Sequence, residues 1–388
     1  MPTATHISVA IPMMDELDNL DCLLSLLRRQ RHKNFTIYIC VNQPEVWHTA
    51  GDEYQKSVVA NNGETLKRLA TVKDLDMEVL DCSSEGRGWS PKRQGVGWAR
   101  KVLFDRITAS VGQQAAGSEI IVSLDADTDF DEGYLEAVDR CLKQNPTLSA
   151  VSVPYYHPLS GDETTDRRLL RYECYMRHYM INMLEIESPY AFTALGSAMA
   201  FTVVAYRKAG GITPLQGGED FYLMQKFVKT GRVLVGGDDQ EHLIVRPQGR
   251  VSRRVPFGTG PAVAMPLAEQ RRKYLFYKRE GFEAVRETYE RFEELYEHDV
   301  ETPMSGFLRS QLATDDLWSP LRKNFKNKEL FVRACKERVD GLRILQFLRT
   351  MESIDPVDFA HVPISQLQSL REEYFSHEMA LRHRTISL

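Results

Sequence analysis

Between residues 5 and 265 the chain keeps changing its hydrophobic period. Short runs rich in β-branched and apolar residues, ISVAIP, FTIYICV, MEVLDC, EIIVSLD and LSAVSVPYY, alternate with segments whose apolar residues recur every three or four positions. Such alternation predicts an α/β fold with a mainly parallel, Rossmann-like central sheet flanked by helices. The clearest helix is DELDNLDCLLSLLRRQ. Its Leu17, Leu20, Leu24 and Leu27 share a face, Asp15 is placed to cap the N-terminus, and Arg28 and Arg29 suit the C-terminal end of the dipole. Further helices are expected from about Gln94 to Ala109 and over YLEAVDRCLKQN. The apolar segment YAFTALGSAMAFTVVAY, residues 190–206, is shorter than the roughly 20 residues of a spanning helix and is interrupted by Gly196 and Ser197, so it reads as a loop feeding a buried strand.

After Met265 the texture changes to charged segments of helical period, nearly free of glycine and proline. The expected organisation is a sheet domain over residues 1–265 and a helical C-terminal extension over 266–388. A net charge of -5 and a pI near 6.1 supply no field for nucleic acid or anionic lipid, so a basic patch must be local. The six cysteines are scattered without CxxC spacing, which points to a reducing compartment rather than to zinc or a disulfide framework. No basic stretch followed by an apolar one marks the N-terminus as a signal peptide. A cytoplasmic location follows as the expectation, with the inner membrane surface as a peripheral alternative.

SLDADTDFD, residues 123–131, stands where the strand EIIVSL runs out, and open α/β sheets bind ligands beyond such carboxyl ends. Asp125 and Asp127, separated by Ala126, project to the same side, so one can hold a magnesium or manganese ion while the other accepts hydrogen bonds from a ligand. A helix cap explains so short a pattern equally well; Asp129, Asp131 and Glu132 suit that role. In QGGEDFYLMQKFVKTG two glycines lead into Glu219 and Asp220 at a helix start. Capping and general-base catalysis are both open to this pair, because a second carboxylate limits how far the first one's pKa falls. The local basic patch is RPQGRVSRRVPFGTG, where Arg250, Arg253 and Arg254 offer guanidiniums for phosphate oxygens beside a glycine turn, or simply a solvated cluster. His242, upstream, is a candidate further metal ligand, against the commoner structural role of a lone histidine.

Taken in order, ISVAIPMMDELDNL, GWSPKRQGVGWARK, SLDADTDFD, ALGSAMAFTVVAYRKAGGI and GGEDFYLMQKFVKTGRVLV resemble the family 2 glycosyltransferases over residues 5–265. The resemblance implies a GT-A fold and a metal-dependent, inverting hexosyl transfer from a nucleoside diphosphate sugar, UDP- or GDP-linked, to an acceptor hydroxyl. It makes Asp127 the metal-binding second aspartate of DxD, Asp125 a nucleotide contact next to Ala126, and Asp220 of the Glu219–Asp220 pair the catalytic base. It places the nucleotide edge at Ala10, Ile11 and Pro12, continuing to Asp15, and gives Arg93 a nucleotide-holding role.

Several positions depart from the family pattern. Asn42 and Gln43 stand where carboxylates commonly help to recognise the base, Asp15 or Glu16 replaces an asparagine, and QxxRW is absent. Single transfer to a carbohydrate, lipid-linked or small-molecule acceptor is therefore expected rather than polymer synthesis. Tyrosines, methionines and arginines of residues 169–192 suit either sugar stacking or a helical core stripe. The C-terminal helices are candidates for pairing subunits into a homo-oligomer, covering the acceptor cleft or resting on a membrane. A nucleotidyltransferase on a similar scaffold, and a sugar-nucleotide-binding protein without transfer activity, remain the alternative functions.

Overall fold

In a computed structural model of the chain, the described residues are 5–112, 119–237, 239, 241–252, 254 and 256–388. Along the chain run β1 (His6–Met13), α1 (Leu17–Arg29), β2 (Phe35–Asn42), α2 (Trp47–Ala50), α3 (Glu53–Thr71), β3 (Met77–Cys82), α4 (Val96–Ser110), β4 (Glu119–Ser123), β5 (Thr128–Phe130), α5 (Tyr134–Gln144), β6 (Leu148–Ser152) and α6 (Glu163–Glu185). There follow β7 (Met199–Thr202), α7 (Val203–Lys208), α8 (Glu219–Thr230), β8 (Arg232–Val235), β9 (Val245–Pro247) and α9 (Thr259–Ala264). The remainder is helical, with α10 (Leu267–Lys273), α11 (Arg279–Glu290), α12 (Ser305–Leu312), α13 (Ser319–Asn324), α14 (Lys328–Arg338), α15 (Gly341–Leu348) and α16 (Ile364–Leu381), before a last strand, β10 (Arg384–Ile386). No described helix is long and apolar enough to cross a membrane.

The chain divides into two units. One comprises residues 1–169, 192–264 and 383–385, the other 170–191, 265–382 and 386–388, so the division falls inside α6. The first unit is built on a sheet in the order β10-β8-β6-β7-β4-β1-β2-β3. β1 pairs in parallel with β2 and β4, β2 with β3, and β6 with β8; β7 runs antiparallel between β4 and β6. The mainly parallel α/β architecture read from the sequence is thus present, together with the C-terminal helices. Ile7, Val9, Ile11, Ile37, Ile39, Val41, Ile121 and Val122 are completely buried, which is why these strands read as apolar runs rather than alternations.

Since the chain leaves β1 for β2 on one side and reaches β4 on the other, the crevice between the ends of β1 and β4 is the topological switch point. α1 buries Leu20, Leu23, Leu24, Leu26 and Leu27, but Asp15 does not cap it. Asp15 turns into a left-handed conformation, φ 60°, that aspartate tolerates better than most side chains. Two asparagines of α3 hold this turn: Asn62 Oδ1 accepts from the Asp15 amide at 3.0 Å and Asn61 Oδ1 from the Leu17 amide at 3.2 Å.

The second unit is held partly by buried charge. The Glu378 carboxylate accepts from Arg177 Nη1 at 2.6 Å and from Arg382 at 2.6 and 2.8 Å, while Glu173 takes Arg177 at 2.6 Å. These four side chains are at most 1% exposed. Truncating one partner of such a network leaves buried guanidinium groups poorly compensated. Glu378→Ala is expected to lower stability by about 3–5 kcal/mol, read from urea unfolding; a loss below about 1 kcal/mol would show that water replaces the carboxylate.

Candidate active site

The carboxyl ends of β1 and β4 and the start of α8 bring together five carboxylates and three arginines of the first unit. Central to them is Arg100, on the buried face of α4 with Gly97, Leu103, Phe104 and Ile107. Its Nη2 donates to Asp125 Oδ1 at 2.6 Å and its Nη1 donates to Glu219 Oε1. The arginine side chain is 4% exposed and that of Glu219 2%. Room for the guanidinium depends on Gly196, where a Cβ would come within 1.9 Å of Nη2. α4 in turn packs against the loop that feeds α8, since a Cβ on Gly97 would lie 2.2 Å from the Leu215 carbonyl oxygen. Three sequence motifs far apart in the chain are thereby joined by one side chain.

Gly218, in a left-handed conformation of φ 80°, turns the chain into α8 and sets Glu219 and Asp220 in its first turn. The Phe221 amide donates to Asp220 Oδ1 at 2.7 Å. Burial, reinforced by the Glu219 charge and opposed by Arg100, pushes the Asp220 carboxyl up to about 7. Burial also pushes Asp127 up to about 6, with Glu16 and Asp125 adding to the effect and Arg250 and Arg254 opposing it.

Asp127 Oδ2 accepts from Arg250 Nε at 3.1 Å, and Arg254 Nη2 lies 3.6 Å away. Arg250 Nη2 donates to Glu16 Oε1 at 2.5 Å, and Arg254 Nη1 donates to the same oxygen and to the Met14 carbonyl at 2.8 Å. The two arginines expected at phosphate oxygens are therefore clamped on Glu16 and Asp127 here. Arg253 lies outside the described residues.

Other expected site residues fall differently. Ala10, Ile11 and Pro12 are buried in β1, and the Ala10 carbonyl accepts from the Leu124 amide at 3.1 Å; the chain first becomes half-exposed just beyond the strand, at Met14 and Asp15. Ala126 is 4% exposed between its two aspartates. Arg93 is exposed with its guanidinium 5.4 Å from the centre of the Trp98 ring, and it is Arg100, seven residues on, that reaches the carboxylates. His242 does not join Asp127. β5 pairs with β9 such that Thr128 faces Pro247 and Phe130 faces Val245, which puts His242 at the opposite end of the ribbon from Asp127. There its Nδ1 lies 2.8 Å from Asp239 and its Nε2 3.5 Å from Asp131, and its ring packs on Gly133.

Sequence reasoning missed Arg100 and the anchoring role of Glu16. The signal for the first was present: Arg100 falls three or four residues from Gly97, Leu103 and Phe104, and an arginine on an apolar helix face requires a buried partner.

No family model and no curated protein matches the chain. Among solved structures it is similar to the mannosyltransferase PcManGT from Pyrobaculum calidifontis in complex with GDP-Man and Mn2+, at 15% identity over 98% of this chain and 87% of that one, TM-score 0.40. It is similar to TarS 1–349 from S. aureus in complex with UDP-GlcNAc, at 11% identity over 97% and 90% of the two chains, TM-score 0.42. A further similarity is to glucosyl-3-phosphoglycerate synthase from Mycobacterium tuberculosis, at 13% identity over 57% and 64%, TM-score 0.31. Likeness of this extent assigns neither an activity nor a ligand to the present chain.

Removing the Arg100 guanidinium would leave Glu219 buried without its ion-pair partner. Arg100→Leu is expected to destabilise the first unit by about 3–5 kcal/mol in chemical denaturation; an unchanged midpoint would mean that Glu219 takes up a proton or finds water.

Proposed function

We propose that the chain is a glycosyltransferase of the inverting, family 2-like kind with a GT-A fold, transferring a hexosyl group from a nucleoside diphosphate sugar to an acceptor hydroxyl. One observation carries the reading: Arg100 ties the DxD aspartate at the end of β4 to the Glu219–Asp220 pair at the start of α8, beside the switch point. Asp220 is then the general base. A carboxyl held near 7 is matched to accepting a proton at neutral pH, and the attacking hydroxyl would give up its proton to Asp220 as it displaces the diphosphate from the opposite face. Glu219, fixed by Arg100, keeps α8 and the base in register with Asp125.

The chemistry of the donor set fits a hard divalent cation, magnesium or manganese. Glu16, Asp125, Asp127, Glu219 and Asp220 outnumber Arg100, Arg250 and Arg254, and a diphosphate adds further negative charge. Among the described residues no three of His, Cys, Asp or Glu are arranged to hold an ion by themselves. The residues thus suit an ion held by Asp127, with Asp125 beside it, and completed by substrate phosphates rather than an all-protein cage. When bound, such an ion supplies charge stabilisation to the departing diphosphate. Arg250 and Arg254 supply the same kind of stabilisation from the protein side.

Asp220→Asn is expected to reduce turnover by a factor on the order of 100 or more while leaving nucleotide affinity nearly unchanged. Wild-type turnover should rise with pH through about 7 as Asp220 deprotonates, and this limb should vanish in the variant. The same group reports on stability with a definite sign. Between its ordinary 3.8 and about 7 the folded state holds a proton that the unfolded state has lost, so stability falls as pH rises through that window. Asp220→Asn should therefore be more stable than wild type at pH 8 and no more stable near pH 3. Full activity of Asp220→Asn would sink the base assignment. Asp127→Ala, or a chelator, should abolish metal-dependent donor binding in calorimetric titration; binding indifferent to both would remove the cation from the reading.

A further inference from the structure

Beside the switch point, at the carboxyl end of β2, the 83–89 loop lays one indole across the strand end. Trp89 continues the pairing beyond the sheet, its amide donating to the Gln43 carbonyl at 2.8 Å and its carbonyl accepting from Glu45 at 2.9 Å. Its Nε1 donates to Asn42 Oδ1 at 3.1 Å, and Asn42 Nδ2 donates to the Met13 carbonyl, at the last residue of β1, at 3.1 Å. The ring is therefore linked through one side chain to the strand end that borders the crevice. It is half-buried, and no aromatic ring or cation of the described residues stacks on it.

Four polar side chains at the ends of β2 and β3, those of Asn42, Gln43, Glu45 and Asp81, are engaged in folding the loop. Asn42, 4% exposed, also gives Nδ2 to the Cys40 carbonyl at 3.2 Å. Gln43, fully buried, accepts from Asn62 Nδ2 at 2.8 Å and has its Nε2 3.1 Å from His48. Glu45 accepts from the Gly86 and Gly88 amides at 2.8 and 2.7 Å. Asp81 accepts from the Ser83 and Ser84 amides at 3.0 and 2.9 Å. With those four side chains engaged, the half-buried indole offers a π-surface at the strand end, and stacking is tolerant of base identity because every base has a face.

We propose that Trp89 holds the donor base by stacking and that the chain takes purine and pyrimidine nucleoside diphosphates with similar affinity. The inference rests on the nucleotide-sugar reading above. Asn42 and Gln43 on this view are not altered base readers but parts of the scaffold that presents the indole. Sites built to read a group by hydrogen bonding reject an analogue that lacks it by roughly 10,000-fold or more, whereas a stacking platform discriminates weakly.

The test is calorimetric titration of the full chain with UDP and with GDP, each in the presence of manganese. The two Kd values are expected within about tenfold of each other. Trp89→Leu should weaken both by a similar factor, roughly tenfold or more, and Trp89→Phe should keep most of the affinity for both. Asn42→Asp should change the two affinities in parallel. A wild-type preference beyond about 100-fold for one base, binding untouched by Trp89→Leu, or a preference reversed by Asn42→Asp would each overturn the inference while leaving the donor site standing. Should Trp89→Leu melt early, the wild-type ratio and Trp89→Phe decide the matter. Binding of neither nucleotide by the wild type would overturn the nucleotide-sugar reading and this inference with it.

Discussion

The site depends on one buried guanidinium. Arg100 leaves α4, passes the space kept open by Gly196, and meets Asp125 and Glu219 at once. A buried ion pair is weak support for stability, because an apolar trio of the same volume would hold the fold as well or better. Its value here is geometric. Two planar donor edges fix two carboxylates that belong to different sheet connections, and a lysine, with a single nitrogen, could not span them in the same way. The arginine's charge also opposes the burial that raises Asp220, so the guanidinium that fixes Glu219 also limits how far the proton affinity of the candidate base rises.

A second group of charges has a different logic. Glu16 and Asp127 share Arg250 and Arg254, so both guanidiniums are ion-paired within the protein. Under the nucleotide-sugar proposal, an incoming phosphate would exchange partners with these carboxylates rather than fill an open cationic cradle. Such an exchange would leave two carboxylates needing a positive charge, which is why the proposal pairs a cation with the nucleotide in the same crevice. It also accounts for the anchoring of Glu16. The asparagines of α3 hold the Asp15 turn in its left-handed conformation, and that turn carries Glu16 to the arginines.

How much of this could be read beforehand follows the physics of each element. β1, β2, β4 and β6 were legible because burial on both faces leaves continuous apolar runs, β3 was legible although half-buried, and the alternating β8 was not read; α1, α4 and α5 were legible because their apolar positions repeat at helical spacing. The strands β5, β9 and β10, each three residues long, carry no period and form only where tertiary pairing imposes them. α3 was hidden because its buried face mixes Val58 and Leu69 with Asn62 and Thr65, and Asn62 is buried for its hydrogen bonds to the β1–α1 turn and to Gln43 rather than for apolarity. The acidic motifs were visible as residues but not as a site, since the helical spacing puts Arg100 on the apolar face of α4 without saying which carboxylates it meets. His242 was misplaced for the converse reason: nearness in sequence to the arginine segment says nothing about which end of the β5–β9 ribbon it occupies.

Burying carboxylates at a strand end opposes folding: burial first, and the neighbouring carboxylates second, raise the proton affinities of Asp127 and Asp220. The first unit can bear it because the strain is confined to the carboxyl edge of a sheet whose interior strands are completely buried. Moving the same charges inward would place them among Ile121, Val122 and Ile39, which offer no compensating group; moving them outward would return their proton affinities toward ordinary values. The carboxyl edge of the sheet is where these carboxylates meet compensating arginines, and Arg100 is the side chain that holds Asp125 and Glu219 there.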